Sequence, residues 1–268
     1  MIDRPSQPPA AARPDVLICA GLDPSGGAGF IADVRVVSEL GGRPVGVVTA
    51  LTVQNTTGVI NAEVAGAAQV REQLEFLLSD VEVRAVKIGM IGSSEIARSI
   101  GQALALTSAP VVWDPVIRST LGGVMFIDNL FGDAVAALMP HVTVVTPNAQ
   151  ELAFLAGTPA IGSLSEAAAA GQALAERLGT AVLVKGGHLG GDESVDVLCR
   201  AGGHELLRGP RVPDGEQVHG TGCALSSALA AHLARGTALI DACRAAKDYV
   251  AAKIAAPVRP GRGAAAIV

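Results

Sequence analysis

Val218-His219-Gly220-Thr221-Gly222-Cys223 runs directly into Ala224-Leu225-Ser226-Ser227, and this stretch decides how the rest of the chain is read. The small and apolar residues predict a helix over about Ala224 to Ala234. Glycine lets the preceding backbone turn sharply and approach a ligand closely. The free N–H groups at a helix start, together with the helix dipole, favour an anion such as a transferring phosphoryl group. The stretch therefore predicts an anion-binding turn at a helix N-terminus.

Cys223 is the one ionisable side chain at the entrance to this helix. A thiol at a helix N-terminus loses its proton more readily than a free thiol. We therefore expect a lowered pKa for Cys223. By itself the Gly-Thr-Gly-Cys motif is weakly specific, because the same residues also suit a plain helix start beside a buried cysteine. The remaining motifs must separate these two interpretations.

The composition limits the class of protein. The chain has 268 residues, of which 50% are hydrophobic, 17% are charged and 3% are aromatic, and its net charge is −5. Such a chain can bury a sizeable core. Few aromatic residues argue against a base-stacking surface, and the negative charge argues against a broad polyanion-binding face. We therefore expect no nucleic-acid partner.

The cysteines and the chain start indicate the cellular setting. Residues 1–14 are rich in Pro and Ala and lack the apolar segment of a signal peptide. No apolar run reaches the length of a membrane span, so we expect no membrane partner. We predict a flexible tail over residues 1–14, one domain over residues 15–268 and a cytoplasmic location. The last prediction rests on scattered cysteines that form no CxxC pair: Cys19, Cys199, Cys223 and Cys243.

Apolar runs alternate with helix-like segments along the chain, which indicates an α/β fold with a mostly parallel sheet. The strands Val45–Val53 and Thr56–Ile60 predict a small hairpin beside that sheet, suited to act as a lid. The other predicted strands are Asp15–Ala20, Ala85–Ile88, Pro110–Pro115, His141–Thr146, Ala181–Lys185, Val195–Leu198 and His204–Leu207. The other predicted helices are Ala28–Leu40, Ala67–Leu78, one capped by Ser93 or Ser94, one capped by Asn148, Ser163–Leu178 and Leu239–Ala255.

Polar and chemically useful residues follow the predicted strand ends. In an open parallel sheet these ends face one crevice, which predicts a single site there. Asn148 and Glu151 also fit a capping box, so a purely structural role is an alternative for both. Asp33, in the first turns of its helix, is either solvated or directed at a ligand. The residues after the strand ends are Asp23, Met90, Asp114, Asn148, Lys185 and Cys223.

Seven motifs occur in a fixed order between about Asp15 and Lys253. They are Gly21-Leu-Asp-Pro-Ser-Gly-Gly-Ala-Gly-Phe-Ile-Ala-Asp33, Thr49-Ala-Leu-Thr-Val-Gln-Asn-Thr56, Lys87-Ile-Gly-Met90, Asp114-Pro-Val116, Thr146-Pro-Asn-Ala-Gln-Glu151, Val184-Lys-Gly-Gly-His188 and His219-Gly-Thr-Gly-Cys223. In order and spacing the set resembles the hydroxymethylpyrimidine/phosphomethylpyrimidine kinases of thiamin synthesis. The resemblance implies a ribokinase-like, three-layer α/β/α fold with a mostly parallel central sheet and a small lid hairpin.

The resemblance also implies a function and a homodimeric assembly. The chain would use ATP and Mg²⁺ to phosphorylate 4-amino-5-hydroxymethyl-2-methylpyrimidine and its monophosphate. Cys223 would face the hydroxymethyl oxygen as base or orienter, and the backbone amides of Gly220, Thr221, Gly222 and Cys223 would hold the γ-phosphoryl group. The pyrimidine would be surrounded by Gly21, Asp33, Gln54, Met90 and Val116. The nucleotide and metal would be held by Lys185, Lys247, Asn148, Asp114 and Glu151.

Two alternatives and two departures from the family pattern accompany this interpretation. A pyridoxal-type kinase is one alternative, because pyridoxine and the pyrimidine both carry a hydroxymethyl group on an aromatic ring. A ligand-binding relative without turnover is the other. The departures are Ile117-Arg118 after the Asp-Pro-Val motif, and Val218 before the His-Gly-Thr-Gly-Cys motif. Arg118 would either face solvent or bind the phosphate of the monophosphate substrate.

Overall fold

The computed structural model of the protein describes residues 13–117, 126, 130–187 and 189–267. Residues 1–12 of the predicted tail lie outside these ranges, as do Arg118 and His188. The division into a tail and one domain, and the role suggested for Arg118, therefore stay predictions.

Among the described residues, nine strands form one sheet in the order β3-β2-β1-β4-β5-β6-β7-β8-β9. Neighbours from β2 to β7 run parallel, whereas β3, β8 and β9 pair antiparallel at the two edges. The mostly parallel sheet and the predicted hairpin beside it are therefore confirmed, and the strands predicted near Val195 and His204 form a second antiparallel pair. The strands are β1 Asp15–Leu22, β2 Arg43–Asn55, β3 Gly58–Val64, β4 Val83–Ile88, β5 Val111–Trp113, β6 Val144–Val145, β7 Ala181–Val184, β8 Glu193–Arg200 and β9 Gly203–Pro210.

Helices cover both faces of the sheet. Alternate residues of β1 point to opposite faces, as the period of a strand requires: Leu17 joins the core under one helix layer and Ile18 the core under the other. The first layer holds α2 to α6 and the second holds α1, α7 and α8, which confirms the three-layer arrangement. The helices are α1 Gly29–Glu39, α2 Ala67–Leu78, α3 Ser94–Leu104, α4 Phe131–Leu138, α5 Ala149–Ala156, α6 Leu164–Leu178, α7 Thr221–Leu233 and α8 Leu239–Ala255.

Most element boundaries lie within a few residues of the predictions, and three differences are larger or change which helices are present. The strand predicted over His141–Thr146 shrinks to Val144–Val145, because a 3₁₀ turn that contains Pro140 occupies Met139–His141. Helix α4 has no counterpart among the predicted helices, and no side chain caps its start. Helix α7 begins at Thr221, three residues before the predicted start at Ala224. In the described ranges, no helix is long and apolar enough to cross a membrane.

Candidate functional site

A cavity of about 240 Å³ opens where the parallel strands end at their carboxyl ends. The loops after β1, β4, β5, β6 and β7 and the start of α7 all reach it, as expected for an open α/β sheet. All but one of the predicted site residues line this cavity; these are Gly21, Gln54, Met90, Asp114, Val116, Asn148, Glu151, Lys185, Gly220, Thr221, Gly222, Cys223 and Lys247.

The turn before α7 has the geometry of an anion-binding helix start. Gly220 caps the helix with φ +87°, and a Cβ at this position would lie 1.9 Å from the carbonyl oxygen of Gly27. A residue with a side chain is therefore excluded here. The Ala224 N–H donates to the Gly220 carbonyl at 2.9 Å. The preceding amides, from Thr221 to Cys223, belong to the first turn, where a helix has no internal acceptors for its N–H groups.

Lys185 lies at the centre of a charged cluster beside this turn. Its Nζ donates to Asp114 Oδ1 at 2.7 Å and lies 3.6 Å from Glu151 Oε2. Burial opposes the charge of Lys185, but the neighbouring carboxylates outweigh that effect and raise its pKa. A Cβ on Gly222 would lie 3.2 Å from the same Nζ. The ammonium therefore stays charged and sits against the helix start.

Asp114 and Glu151 are each fixed by further hydrogen bonds. Thr146 Oγ1 donates to Asp114 Oδ1 at 3.3 Å, and Ser226 Oγ donates to Asp114 Oδ2 at 3.4 Å. The Asn148 side chain accepts from the Glu151 N–H at 2.9 Å, while Glu151 Oε2 accepts from the Asn148 N–H at 2.8 Å. The predicted capping box is therefore present. Its glutamate also faces the cavity, so the structural and the functional role coincide.

The expected lowering of the Cys223 pKa is wrong. Burial raises the pKa of this thiol to about 11, although the charge of Lys87 and a hydrogen bond from the Gly29 N–H act in the opposite direction. The helix dipole is a modest effect, whereas removal of water from a thiolate is a large one. Cys223 is therefore protonated at neutral pH in the free protein. It is also the one cysteine of the four that is not fully buried.

Asp33 is the predicted site residue that does not line the cavity. It is fully buried, Lys87 Nζ lies 2.5 Å from its Oδ2, and Ser227 Oγ donates to its Oδ1 at 2.7 Å. The expectation of a solvated carboxylate is wrong, because the side chain is fully buried; a role towards a ligand stays a prediction. A buried carboxylate needs a partner, and the strand lysine Lys87 supplies one. Lys87, in turn, is the member of the pair that lines the cavity.

Lys247 and Arg211 lie at the end of the cavity formed by β8, β9 and α8. Lys247 Nζ donates to Asp196 Oδ2 at 3.0 Å, so it reaches the cavity as half of an ion pair. Arg211 donates to the carbonyls of Gly187, Gly190 and Gly191 at 2.7 Å and to that of Glu193 at 3.2 Å. This guanidinium fixes the loop between β7 and β8, and the sequence analysis did not identify it.

Asp23, His219 and Gln54 form a third polar group. His219 Nε2 lies 3.2 Å from Asp23 Oδ2 and 3.2 Å from Gln54 Nε2. The Ser25 and Ala28 N–H groups also donate to Asp23, at 2.8 and 3.1 Å. Burial alone would raise the pKa of Asp23, but the hydrogen bonds from His219 and Ser25 outweigh it and lower that pKa. Asp23 therefore links the first glycine-rich loop to the turn before α7.

An apolar surface faces these polar groups. Met90 packs with Ala50 and Val116 in a small cluster of its own, separate from the two main cores. A Cβ on Gly21 would lie 2.8 Å from Met90 Sδ, so the glycine leaves room for that side chain. An apolar wall with an amide nearby suits a flat ring that carries polar atoms at its edge.

The comparisons with known proteins agree with this geometry. A family model described as phosphomethylpyrimidine kinase matches residues 23–267. The chain belongs to this family. The hydroxymethylpyrimidine/phosphomethylpyrimidine kinase of Streptomyces coelicolor is 40% identical over 257 residues, which cover 95% of this chain and 94% of that protein. The Escherichia coli K12 protein of the same name is 35% identical over 244 residues, which cover 91% of each chain.

Solved structures of the phosphomethylpyrimidine kinase family and its neighbours confirm the ribokinase-like fold. The phosphomethylpyrimidine kinase of Clostridium difficile 630 superposes with a TM-score of 0.77 at 33% identity and covers 91% of this chain and 100% of its own. The pyridoxal kinase of Staphylococcus aureus in complex with ADP gives a TM-score of 0.86 at 28% identity, with 96% and 93% covered. The phosphomethylpyrimidine kinase family and pyridoxal kinases therefore share one architecture.

The sequence analysis did not identify the roles of three residues, Lys87, His219 and Arg211. Lys87 could have been found, because it lies inside the apolar strand Val83–Ile88 and buried lysines are rare unless they are paired. His219 belonged to a recognised motif but had no assigned partner. Arg211 had no signal at all, since its acceptors are main-chain carbonyls that any sequence provides.

Proposed function

We propose that this chain transfers the γ-phosphoryl group of ATP to the hydroxymethyl oxygen of 4-amino-5-hydroxymethyl-2-methylpyrimidine, and then phosphorylates the monophosphate. One observation carries the proposal: the anion-binding turn with Lys185, and the Gln54 amide with the apolar Met90, line the same cavity. The names of the curated relatives support the substrate. Relatives named as thiamine biosynthesis multifunctional proteins support the pathway.

ATP is the proposed phosphoryl donor. Solved S. aureus pyridoxal kinases in complex with ADP and with AMP-PCP support an adenine nucleotide. We assign the end of the cavity near α8 to the nucleotide, where Lys247 lies beside the apolar side chains of Val250 and Ile254. Asn148 and Lys185, nearer the centre, would face its phosphates. Gly21, Gln54, Met90 and Val116 would then surround the pyrimidine at the other end.

The chain's own groups match what phosphoryl transfer demands. The transition state of this reaction needs alignment and charge neutralisation more than covalent help. The amides of Gly220 to Cys223 would hold the γ-phosphoryl oxygens, and the Lys185 ammonium would neutralise developing charge. Cys223, as a protonated thiol, would orient the hydroxymethyl oxygen, and the hydroxyl proton would pass to an oxygen of the transferred phosphoryl group as the bond between the γ-phosphorus and ADP breaks. Asp33 would act through Lys87, outside the substrate's contact surface.

The residues at the centre of the cavity fit Mg²⁺. This ion is usually held by one or two carboxylates together with waters and substrate phosphates. Asp114 and Glu151 both line the cavity and supply oxygen donors of that kind. We therefore assign Asp114 and Glu151 to Mg²⁺, which when bound would neutralise phosphate charge. Two protein carboxylates are enough for this ion, and the described residues contain no group of three or more His, Cys, Asp or Glu able to hold a metal.

We propose a homodimeric assembly and a cytoplasmic location. Leu51 and Val53 of β2 are 54% and 53% exposed, and Ile60 of the edge strand β3 is 85% exposed. This apolar hairpin face supports a homodimer. The net charge of −5 supports the absence of a nucleic-acid partner, and the free cysteines support a cytoplasmic location. The absence of a membrane partner stays a prediction. Light scattering on the purified protein, which should give twice the chain mass, tests the dimer.

Pyridoxal is the second candidate substrate, because the S. aureus pyridoxal kinase superposes with the TM-score of 0.86. A competition assay decides between the two substrates. The protein is incubated with Mg-ATP and equimolar hydroxymethylpyrimidine and pyridoxal, and the products are separated by mass. We expect pyrimidine monophosphate to form first. Pyridoxal phosphate as the main product would contradict the proposal.

A further inference from the structure

The Gln54 side chain is held between two polar neighbours. One end of its amide lies 3.2 Å from His219 Nε2, and the other end lies 3.2 Å from Thr52 Oγ1. An amide end is either an acceptor oxygen or an NH₂ donor, and its neighbours determine which end is which. The orientation of Gln54 therefore follows from the hydrogens that His219 and Thr52 carry.

His219 carries a hydrogen on Nε2. This nitrogen lies 3.2 Å from the Asp23 carboxylate, which is an acceptor. The other ring nitrogen, Nδ1, is buried and has no hydrogen-bond partner among the described residues. A hydrogen on Nδ1 would be an unsatisfied buried donor and would turn the Nε2 lone pair towards a carboxylate. Both effects are unfavourable, so Nε2 is the donor.

Thr52 uses its only hydrogen elsewhere. Its Oγ1 donates to the Leu22 carbonyl oxygen at 2.9 Å. A hydroxyl has one hydrogen and two lone pairs, so towards Gln54 it can only accept. With Nε2 beside His219 and Oε1 beside Thr52, the Gln54 amide would set a donor against the His219 N–H. A half-turn about its last bond relieves this, because the Gln54 oxygen then faces the His219 N–H and the NH₂ group faces Thr52. The single His219 Nε2–H is then shared between Asp23 Oδ2 and the Gln54 oxygen, one N–H of Gln54 donates to Thr52 Oγ1, and the second N–H of Gln54 has no acceptor among these neighbours.

We propose that His219, held by Asp23, and Thr52 are positioning residues that fix the Gln54 amide in one orientation, with its second N–H directed into the cavity. The substrate must then present an acceptor, such as an unprotonated ring nitrogen, at that edge. The inference rests on the proposed function, since it assigns the binding edge of the same aromatic substrate. It adds a reason for the histidine immediately before the anion-binding turn.

A double-mutant cycle tests the coupling between His219 and Gln54. The dissociation constant of 4-amino-5-hydroxymethyl-2-methylpyrimidine is measured by calorimetry for wild type, His219→Leu, Gln54→Leu and the double variant. Loss of one oriented hydrogen bond should weaken binding about tenfold in His219→Leu. In the Gln54→Leu background the same change should have an effect of less than about twofold, because no amide remains to be oriented. His219→Gln, which keeps a side-chain N–H, should stay within about threefold of wild type.

The outcomes separate this inference from the proposed function. Additive effects of His219→Leu and Gln54→Leu, or His219→Gln as weak as His219→Leu, would overturn the inference alone. Wild-type protein that does not bind the pyrimidine would overturn the proposed function and this inference together. If His219→Leu does not fold, Thr52→Val replaces it, with Thr52→Ser as the matched control that keeps the hydroxyl. Thr52→Val must then weaken binding only when Gln54 is present.

Discussion

Gly220→Ala should damage both the fold and the activity, whereas Gly222→Ala, two residues later, should damage activity alone. Gly220 caps helix α7 and Gly222 lies in its first turn, so each variant is the control for the other. Gly220 has φ +87°, and a Cβ there would lie 1.9 Å from the main-chain oxygen of Gly27. At Gly222 the nearest atom is Lys185 Nζ at 3.2 Å, the end of a flexible side chain.

The expected loss of stability can be worked from these contacts. An alanine in the left-handed conformation costs about 1–2 kcal/mol, and relief of an overlap with backbone costs about 1–3 kcal/mol more. For a domain of this size each kcal/mol lowers Tm by roughly 2–4 °C. We therefore expect Gly220→Ala to lower Tm by roughly 4–20 °C and to lose most of its activity.

Gly222→Ala should keep the wild-type Tm within about 2 °C, because alanine is a better helix former than glycine. Its methyl group pushes the Lys185 ammonium away from the helix start by a few tenths of an ångström. Because misplacement by about 1 Å costs roughly 10²-fold in rate, we expect kcat to fall by roughly threefold to tenfold. Thermal denaturation and steady-state kcat, measured on both variants, check the pair. A Gly220→Ala protein with unchanged Tm, or a Gly222→Ala protein with unchanged kcat, would refute this account of the turn.

Two further predictions concern single side chains around the cavity. Burial raises the pKa of Cys223 to about 11, so the rate at which iodoacetamide labels it in the folded protein should rise about tenfold per pH unit from pH 8 to 10. Peptide mass spectrometry follows the labelling, with Cys223→Ser as the control. A labelling rate that reaches a plateau below pH 8 would show the lowered pKa expected from the sequence. Arg211→Lys should raise KM for ATP several-fold and leave KM for the pyrimidine unchanged. A lysine cannot reproduce the planar set of donors with which Arg211 binds four loop carbonyls. Equal KM values for ATP in the variant and the wild type would contradict a role for Arg211 in holding the β7–β8 loop.

The fold could be predicted from the sequence because its signals are local. The apolar run predicted over Ala181–Lys185 and the amphipathic pattern of Ala67–Leu78 each determine one element. The strand ends one residue earlier than predicted, at Val184, and the helix has the predicted boundaries. The common cavity followed from one rule about parallel strand ends. The strand at His141 was overestimated because apolar character alone does not show where Pro140 ends the pairing.

The details of the site depend on partners far apart in the chain, which local patterns do not provide. Asp33 pairs with Lys87, 54 positions away, and this contact turns an apparently ligand-facing carboxylate into a buried one. The pKa of Cys223 depends on how completely the folded chain excludes water from the thiol. The contact of Asp23 with His219 spans 196 positions. Each required the packed structure.

Transfer of labelled phosphate within a single turnover tests the central claim most directly. Enzyme in excess over ATP labelled at the γ-phosphoryl group is mixed with Mg²⁺ and 4-amino-5-hydroxymethyl-2-methylpyrimidine, and the reaction is quenched over time. Lys185→Met serves as the control variant, because it removes the ammonium beside the helix start. We predict that the label passes from ATP to the pyrimidine monophosphate in the wild type and does so far more slowly in the control. Label that remains in ATP while the pyrimidine stays bound and unmodified would contradict the account and identify a ligand-binding relative without turnover.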